Sequence, residues 1–244
     1  MTVDESDALL CANAVSYAYD SIPVIRNVTV TAKSGDCIGL LGPNGSGKTT
    51  LLHLLSGLIP PSSGNVTLNG IELDQLRRRA VARQLALVPQ ETVLVFDYCV
   101  REVVLMGRHA HLDTFANETQ EDLDIVEQCL LLTGTLGFAD RPFSTLSGGE
   151  KQRVVIASAL AQLMPSSANP GPANDPVLLL DEPTTSLDLR YQLLTADVLR
   201  TLRQQRTATL VLSTHDPNFA AGPVSYTHLR AHETSLHLVC RLLL

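Results

Sequence analysis

The sequence predicts an α/β fold with a mainly parallel core sheet, an antiparallel β subdomain and an inserted α-helical subdomain. Short apolar stretches alternate with amphipathic helical ones, which favours a parallel sheet that is covered on both faces. Turn signals in the N-terminal third separate pairs of strands, as in antiparallel hairpins. A long stretch in the middle of the chain has helical periodicity and no strand pattern.

The two hairpins come first along the chain. Residues 12–31 are predicted to form two short strands about a turn at Asp20-Ser21. Asn65–Leu68 and Ile71–Leu73 are predicted to form a second pair about Asn69-Gly70, a dipeptide that suits the tight turn of a hairpin. These pairs are the basis of the predicted antiparallel subdomain.

The core elements are short apolar strands, each followed by a helical stretch. The first strand, Cys37–Leu41, leads into a glycine-rich loop and a helix over Thr49–Leu58, which stops near Gly57 and two prolines. The other predicted core strands are Ala86–Val88, Val177–Leu180 and Thr209–Ser213, and the other predicted core helices start at Ser147 and near Leu189–Gln204.

The helical subdomain is predicted over residues 90–144, between core segments 8–89 and 145–222. Within it, Arg101–Met106 and Gln120–Leu132 have helical periodicity. A stretch rich in Pro, Ser, Ala and Asn at 164–176 predicts a solvated surface loop inserted in the core.

Composition limits the classes of function. The chain of 244 residues has a net charge of -7, which argues against nucleic acid as its main ligand. Its five cysteines show no Cys-x-x-Cys spacing and suggest reduced core thiols. No apolar run approaches the roughly 18–20 residues of a membrane span, and the acidic N-terminus does not resemble a signal peptide. We therefore expect any link to a membrane to pass through a partner.

The glycine-rich loop fits the phosphate-binding pattern G-x-x-x-x-G-K-[ST] in full. It stands between a predicted strand and a predicted helix, so its backbone N–H groups and the helix start can hold phosphate oxygens. Lys48 would reach the β- and γ-phosphates, and the Thr49 hydroxyl would bind Mg²⁺. The motif predicts a P-loop NTPase core of the RecA-like type. Its candidate nucleotide-binding residues are Gly42, Pro43, Asn44, Gly45, Ser46, Gly47, Lys48, Thr49 and Thr50.

Two carboxylates follow the buried strand Val177–Leu180. Asp181 is placed to hold the Mg²⁺ shell, and Glu182 is placed to polarise an attacking water. Ligands of open α/β sheets bind at such strand ends. Alone, the pair could be a solvated acidic strand end, but behind a phosphate loop it predicts ATP hydrolysis.

A second glycine-containing helix start stands at Ser147-Gly148-Gly149-Glu150. Ser147 and Glu150 have the spacing of a capping box, so the plain interpretation is a well-capped helix. Capping does not require two glycines in the first turn, where they weaken a helix. Close approach of a ligand to the backbone would explain them.

The stretch Leu146–Glu150 resembles the signature of ATP-binding cassette (ABC) proteins, and the resemblance extends over roughly residues 10–222. Other family motifs stand in the expected order. Tyr19 is similar to the aromatic residue that stacks on adenine, and Gln90 to the glutamine that senses Mg²⁺ and the attacking water. Asp188, in Ser186-Leu187-Asp188, matches the loop at the dimer interface, and His215 matches the switch histidine at the γ-phosphate.

The resemblance implies a head-to-tail dimer that binds ATP and Mg²⁺. In the family, the glycine loop of one copy holds a nucleotide that is covered by the signature helix of the other copy. Ser147, Gly148 and Gly149 would thus serve the partner's ATP, which explains two anion-holding helix starts with one lysine. Glu182, His215 and Gln90 would be the catalytic residues.

The type of ABC protein is suggested by the helical subdomain. Phe96–Phe115 resembles cassettes that drive import of iron-siderophores, haem and cobalamin. This implies separate membrane-spanning permease subunits, a substrate-binding protein as an indirect partner, and a peripheral location on the cytoplasmic face of the cell membrane. His109 and His111 are interpreted as exposed polar residues of a loop, not as a metal site.

Two alternatives belong to other classes. A soluble ABC ATPase of DNA repair, chromosome structure or translation would carry long heptad arms or a second cassette, and this chain shows neither. A P-loop kinase would lack the glycine signature. Ribosome binding would favour the translation class, and capture of a multi-span permease would favour transport.

The last residues resemble a translated sequencing-library adapter. Val224–Thr234 and His237–Leu244 both match translated adapter sequence. We therefore expect 223–244 to be a non-native tail, and the apolar run Leu236–Leu244 to pair as a strand in the place of the natural last strands. A continuous natural reading frame through this part of the locus would contradict that expectation.

Overall fold

The computed structural model of the chain describes residues 8–113, 116–167, 176–184, 187, 189–204, 208–215, 228–229 and 239–242. No helix in this part of the chain combines the length and the apolar character that crossing a bilayer requires. The strands are β1 (Leu10–Tyr19), β2 (Ile22–Ala32), β3 (Cys37–Leu41), β4 (Ser63–Leu68), β5 (Ile71–Glu72), β6 (Leu85–Val88), β7 (Val177–Leu180), β8 (Thr209–Thr214), β9 (His228–Leu229) and β10 (Val239–Leu242). The α-helices are α1 (Lys48–Leu55), α2 (Arg78–Ala82), α3 (Val100–Leu105), α4 (Gln120–Leu132), α5 (Gly148–Leu163) and α6 (Leu189–Gln204).

The antiparallel sheet has the order β2-β1-β4-β5 and contains both predicted hairpins. Its tight turns suit right-twisted strands because their central residues have positive φ, 45° and 71° at Asp20 and Ser21 and 54° and 76° at Asn69 and Gly70. The second hairpin is shorter than predicted, since Leu73 begins a 3₁₀ turn that runs to Gln75.

The second sheet has the order β6-β7-β8-β3-β10-β9. Its first four strands are parallel, as the alternating pattern predicts, and every residue of β3, β7 and β8 is buried. β10 pairs antiparallel with β3, so the apolar run of the tail does form a strand there. The carboxyl ends of the four parallel strands meet at one edge, which is where the candidate site lies.

Both faces of the parallel sheet are covered by apolar side chains. Leu178 and Leu180 of β7 belong to a hydrophobic cluster with α3, α4 and α5. Val177 and Leu179, on the other face, belong to a cluster with α1 and the antiparallel sheet. Because successive side chains of a strand point to opposite faces of the sheet, β7 contributes to both hydrophobic clusters.

Two helices differ from the sequence-based expectation. α1 ends at Leu55 and not at Leu58, because Gly57 takes a φ of 71° just past the C-terminus, a left-handed conformation that ends helices. α2 was not predicted at all, since five residues are too few to show helical periodicity.

The helical subdomain is joined to the end of α5 by a buried arginine. Arg108 is fully buried; its Nε donates to Asp122 Oδ1 at 2.9 Å, and its Nη1 donates to the carbonyl oxygens of Ala161 and Met164, each at 2.6 Å. Burial alone would raise the pKa of Asp122, but hydrogen bonds from Thr119 and Arg108 hold that pKa below its usual value. Arg108 thus links Asp122, at the start of α4, to the carbonyl oxygens at the end of α5.

The expectation that His109 and His111 are both exposed is wrong for His111. That side chain is buried, and its Nε2 lies 2.8 Å from the carbonyl oxygen of Gln162 on α5. Burial lowers the pKa of His111, with the positive charges of Arg108 and Arg83 acting in the same direction. The ring is a packing residue between the subdomain and α5.

Candidate nucleotide-binding site

The glycine loop connects β3 to α1 at the carboxyl edge of the parallel sheet. Gly47 is the N-cap of α1, in a left-handed conformation with φ 93°, and no side chain caps the first N–H groups of the helix. Thr49 is exposed at this helix start. Ser46 Oγ is buried and has no hydrogen-bond partner in the described part of the chain. An uncapped helix start beside an orphaned hydroxyl fits a phosphate group.

Lys48 turns back across the loop. Its Nζ donates to the carbonyl oxygens of Gly42 at 2.8 Å and Pro43 at 3.0 Å, and it lies 3.2 Å from Glu182 Oε1. Both charged side chains are buried, so each compensates the other in a region of low dielectric. The Lys48–Glu182 ion pair therefore links the glycine loop to the residue pair that follows β7.

The hairpin of β1 and β2 lies against the glycine loop. A Cβ on Gly47 would approach Ile25 Cδ1 to 3.0 Å and Val24 Cγ1 to 3.1 Å, so glycine is required by packing as well as by its φ. Tyr19, at the end of β1, is 46% exposed and packs edge-on against Tyr17, with 4.9 Å between ring centroids. Tyr19 thus presents a half-exposed ring on the hairpin that contacts the loop.

Asp181 and Glu182 are held in place by one hydroxyl, that of Ser213. Ser213 donates to Asp181 Oδ1 at 2.6 Å, and its Oγ accepts the backbone N–H of Glu182 at 2.9 Å. Glu182 has a φ of 43°, a conformation that costs a non-glycine residue about 1–3 kcal/mol and clusters at functional sites. Ser213 therefore fixes the carboxylate of Asp181 and the backbone of Glu182.

Sequence reasoning missed Ser213 as a site residue. No local pattern in the sequence pairs Ser213 with Asp181: Leu212 pairs with Leu180 across the parallel ladder, and this register brings the next residue beside Asp181. A hydroxyl at the end of an otherwise apolar strand, next to two carboxylates, marks a positioning residue.

His215 follows β8 and Gln90 follows β6, the two strands that flank β7, at the same edge of the sheet. His215 Nδ1 lies 3.3 Å from Glu182 Oε2, so the predicted switch histidine contacts the predicted catalytic carboxylate. Gln90 is exposed two residues beyond β6, and Asp181 donates its backbone N–H to Val88 at the end of that strand. The register therefore places Gln90 and Asp181 at the same corner of the sheet.

The helix α5 begins with the predicted capping box. Ser147 donates its backbone N–H and its hydroxyl to Glu150 Oε2, both at 2.8 Å, and Ser147 Oγ accepts the N–H of Glu150 at 3.4 Å. Within the described part of the chain, no hydrogen bond joins Ser147, Gly148 or Gly149 to the glycine loop. Asp188 and Ser186 lie outside the described residues.

At Gly149 the structure corrects the explanation expected from the sequence. The two glycines were attributed to close approach of a ligand, yet a Cβ on Gly149 would lie 2.4 Å from Tyr191 Cγ, inside the same chain. The packing of α6 thus explains Gly149 without a ligand. A Cβ added to Gly148 would meet only Leu187, at 3.9 Å, so close approach of a ligand still explains that glycine.

The capping box makes stability depend on pH. Hydrogen bonds from the backbone N–H and the hydroxyl of Ser147 lower the pKa of Glu150 from its usual 4.5, although partial burial opposes them. A depressed folded pKa means that the contribution is complete above about pH 4.5 and is lost as the pH falls through the lower folded value. We expect Glu150→Ala to reduce the free energy of unfolding by about 1 kcal/mol at pH 7.

The measurement is urea unfolding followed by circular dichroism at pH 7 and at pH 3. The difference between the wild type and Glu150→Ala should shrink at the lower pH. Glu127→Ala, an exposed change on α4, is the control and should show little difference at either pH. A Glu150→Ala effect of equal size at both values would contradict the assigned hydrogen bonds.

A sequence profile described as ABC transporter matches residues 25–185. The matched stretch contains the glycine loop, the signature motif and both carboxylates, and it makes up more than half of the chain. The chain belongs to the ABC transporter family. The resemblance predicted from Leu146–Glu150 is therefore confirmed, and this ABC protein has the P-loop NTPase fold expected from its sequence.

This ABC protein is similar to ATP-binding proteins of importers. It is 40% identical over 198 residues to the cobalamin import ATP-binding protein BtuD of Halobacterium salinarum, a match that covers 81% of the chain but 46% of that relative. It is 37% identical to the petrobactin import ATP-binding protein FpuC of Bacillus anthracis, covering 87% of the chain and 74% of the relative. The chain thus spans just under half the length of the first of these relatives.

Solved structures of the family show the same fold. An ABC transporter of metal-chelate type in an inward-facing conformation is 31% identical, with a TM-score of 0.73 over 88% of this chain and 76% of that one. A dimeric cassette of a bacterial ABC transporter is 27% identical, with a TM-score of 0.72 over 87% and 90% of the two chains. The predicted fold class is confirmed.

Proposed function

We propose that this chain is the ATP-hydrolysing subunit that powers a membrane importer through a separate permease. The observation that carries the proposal is the contact network of Lys48, Asp181, Glu182, Ser213 and His215 beside the glycine loop. It combines a phosphate-binding cation, a candidate base and a metal-binding carboxylate at one sheet edge. That combination suits hydrolysis of a nucleoside triphosphate.

The residues present fit Mg²⁺ as well as ATP. Thr49 presents a hydroxyl, Gln90 an amide oxygen and Asp181 a carboxylate, the oxygen ligands that Mg²⁺ prefers. Ser213 binds only one oxygen of Asp181, and no hydrogen bond in the described part of the chain engages the other. When bound, the ion would neutralise charge on the phosphates.

The proposed catalytic step rests on Glu182. Its carboxylate would accept a proton from the attacking water, a contribution of about 10²–10⁴-fold to the rate. Lys48 and His215 contact its two oxygens, at 3.2 and 3.3 Å, and keep its orientation fixed. Lys48 would give up its hydrogen bonds to the loop carbonyl oxygens and donate to phosphate oxygens instead. His215 would contact the γ-phosphate.

The proposal includes a second copy of the chain in a head-to-tail dimer. The start of α5 has an anion-holding geometry but no hydrogen bond to the glycine loop of its own chain, which supports a role at the partner's nucleotide. A related cassette of similar fold is dimeric. The loop that contains Asp188 would then lie at the interface between the copies.

The permease contact is proposed at the segment that follows Gln90. Val93, Val95 and Phe96 are 85%, 90% and 70% exposed, an apolar surface of the kind that marks protein interaction sites. A permease bound there would place the chain at the cytoplasmic face of the membrane, with a substrate-binding protein as an indirect partner. Protection of the 93–96 amides from hydrogen exchange in a complex with the permease tests this contact.

The proposed cargo is an iron-siderophore, haem or cobalamin. The names of the similar proteins support this class, because they include cobalamin and petrobactin import. They also favour import over the alternative of a soluble ABC ATPase of DNA repair or translation. The net charge of -7 is in keeping with the absence of nucleic acid among the proposed partners.

The function is tested by ATP turnover as a function of protein concentration. We expect Mg²⁺-dependent hydrolysis whose rate per molecule rises with concentration, because each complete site needs two copies. Size-exclusion chromatography with and without ATP reports the dimer in the same samples. Full turnover per molecule in a strictly monomeric preparation would refute the shared site, and no turnover at any concentration would refute the ATPase proposal.

A further inference from the structure

Gly149 is the second residue of α5, and the root of the Tyr191 side chain occupies the space beside it. A Cβ on Gly149 would lie 2.4 Å from Tyr191 Cγ, 2.6 Å from its Cβ and 2.7 Å from its Cδ1. A rotamer change would move Cγ and Cδ1, but Cβ is fixed to the backbone of α6 and its 2.6 Å contact would remain. Either α6 or the start of α5 would have to shift.

Tyr191 also contacts Arg153, which lies one helical turn beyond Gly149 on the same face of α5. The Arg153 Cζ is 6.0 Å from the centroid of the ring, within range of a cation–π interaction. Arg153 Nη1 donates to the carbonyl oxygens of Thr133 at 3.2 Å and Gly134 at 3.3 Å, just past the end of α4. The ring therefore packs on a face that is anchored to the helical subdomain.

The position of Tyr191 along the chain links this contact to the proposed dimer interface. It lies in the first turn of α6, which directly follows residues 186–188. Gln192 Nε2 donates to the carbonyl oxygen of Leu187 at 3.0 Å and ties the turn to that segment. A shift of this segment would therefore be felt at Gly149 through the ring.

We propose that Tyr191 is a positioning residue for the signature helix. Its ring sets the position of the first turn of α5, and with it the N–H groups that would hold the partner's γ-phosphate. Tyr191 contacts no nucleotide in this role and acts through Gly149. This inference rests on the proposed function, because it concerns the same helix start.

The test is a double-mutant cycle of Gly149→Ala and Tyr191→Gly, measured as kcat and KM for ATP; glycine also removes the Tyr191 Cβ, which alanine would leave 2.6 Å from the new Cβ. Gly149→Ala alone should lower kcat about tenfold or more, because the new Cβ clashes with the Tyr191 side chain. Tyr191→Gly alone should lower kcat by a smaller factor. With the whole Tyr191 side chain removed, the added Gly149→Ala change should cost less than about twofold, so the two losses are strongly non-additive. Additive losses would overturn the proposal, since Gly149 would then be small for the nucleotide's sake.

Two controls separate positioning from general packing. Gly148→Ala should lower kcat by the same factor with or without Tyr191→Gly, because the space at Gly148 is not bordered by the ring. Tyr191→Phe retains the ring and should keep most of the kcat. Binding of a fluorescent ATP analogue to dilute monomers should be unchanged in Tyr191→Gly, since the glycine loop is intact. Weaker binding there, by the same factor as kcat, would indicate a structural defect and overturn the proposal.

Thermal unfolding of the wild type, the two single variants of the cycle and the double variant tests the contact without a measurement of hydrolysis. Gly149→Ala should lower Tm in the wild-type background and much less in the Tyr191→Gly background, where no Cβ is left to clash. If the unmodified chain shows no turnover, the proposed function fails, while this second cycle still tests the packing contact. Additive Tm shifts would refute the contact whatever the turnover shows.

Discussion

Glu182→Gln is expected to abolish nearly all ATP hydrolysis while ATP still binds. The glutamine keeps the size of the side chain, the left-handed backbone and the hydrogen bond from Glu182 N–H to Ser213. It cannot accept a proton from water, so kcat should fall by about 10²–10⁴-fold. In the proposed mechanism the dimer opens only after hydrolysis. Dimers should therefore accumulate in the presence of ATP and Mg²⁺.

The variant is measured by steady-state ATP turnover and by size-exclusion chromatography with ATP. Glu127→Gln, an exposed carboxylate on α4, is the matched control and should leave both unchanged. Undiminished turnover in Glu182→Gln would remove Glu182 from the catalytic role. Loss of turnover without ATP-stabilised dimers would instead contradict the clamp between two copies.

Lys48→Ala is expected to damage both binding and folding. Its Nζ is placed for a charge-assisted bond to phosphate, worth about 1.5–3 kcal/mol, so ATP affinity should fall about 10- to 100-fold and turnover should be undetectable. The change also leaves the buried Glu182 carboxylate without the cation 3.2 Å away. Removing one partner of a buried pair typically costs about 3–5 kcal/mol of stability.

A double variant separates the two losses. In Lys48→Ala with Glu182→Gln no buried charge is left uncompensated, so the free energy of unfolding should recover most of the loss while activity stays absent. Lys33→Ala is the control, because Lys33 precedes β3 at the opposite edge of the sheet. Equal instability in the single and double variants would show that Lys48 and Glu182 do not stabilise each other.

The core of the fold and most of the site follow from local patterns in the sequence. Cys37–Leu41 and Val177–Leu180 are short apolar runs, the first preceded by Asp36 and the second followed by Asp181, so their extent and their place in a parallel sheet are predictable. The glycine loop and the capping box at Ser147 are equally local, because their geometry is set by residues a few positions apart.

Other features depend on contacts between residues far apart in the chain. Ser213 and Asp181 are 32 positions apart and meet only through strand register, and the burial of His111 depends on α5, which comes much later. The close packing of Tyr191 on Gly149 has no local signature, so the sequence alone favours a ligand as the reason for that glycine. Periodicity and motif spacing carry no information about such pairs.

The helix α5 is a long rod that is held at one end by the helical subdomain. Its 16 residues make a rod about 24 Å long at about 1.5 Å per residue, with the signature glycines at one end and the carbonyl oxygens bound by Arg108 at the other. Because the far end is clamped to the helical subdomain, a tilt of about 10° there would sweep the glycine end through about 4 Å. In the proposed dimer that movement would exceed the tolerance of a hydrogen bond several-fold, so a small change of angle at the Arg108 end would be enough to break the contact with the partner's nucleotide.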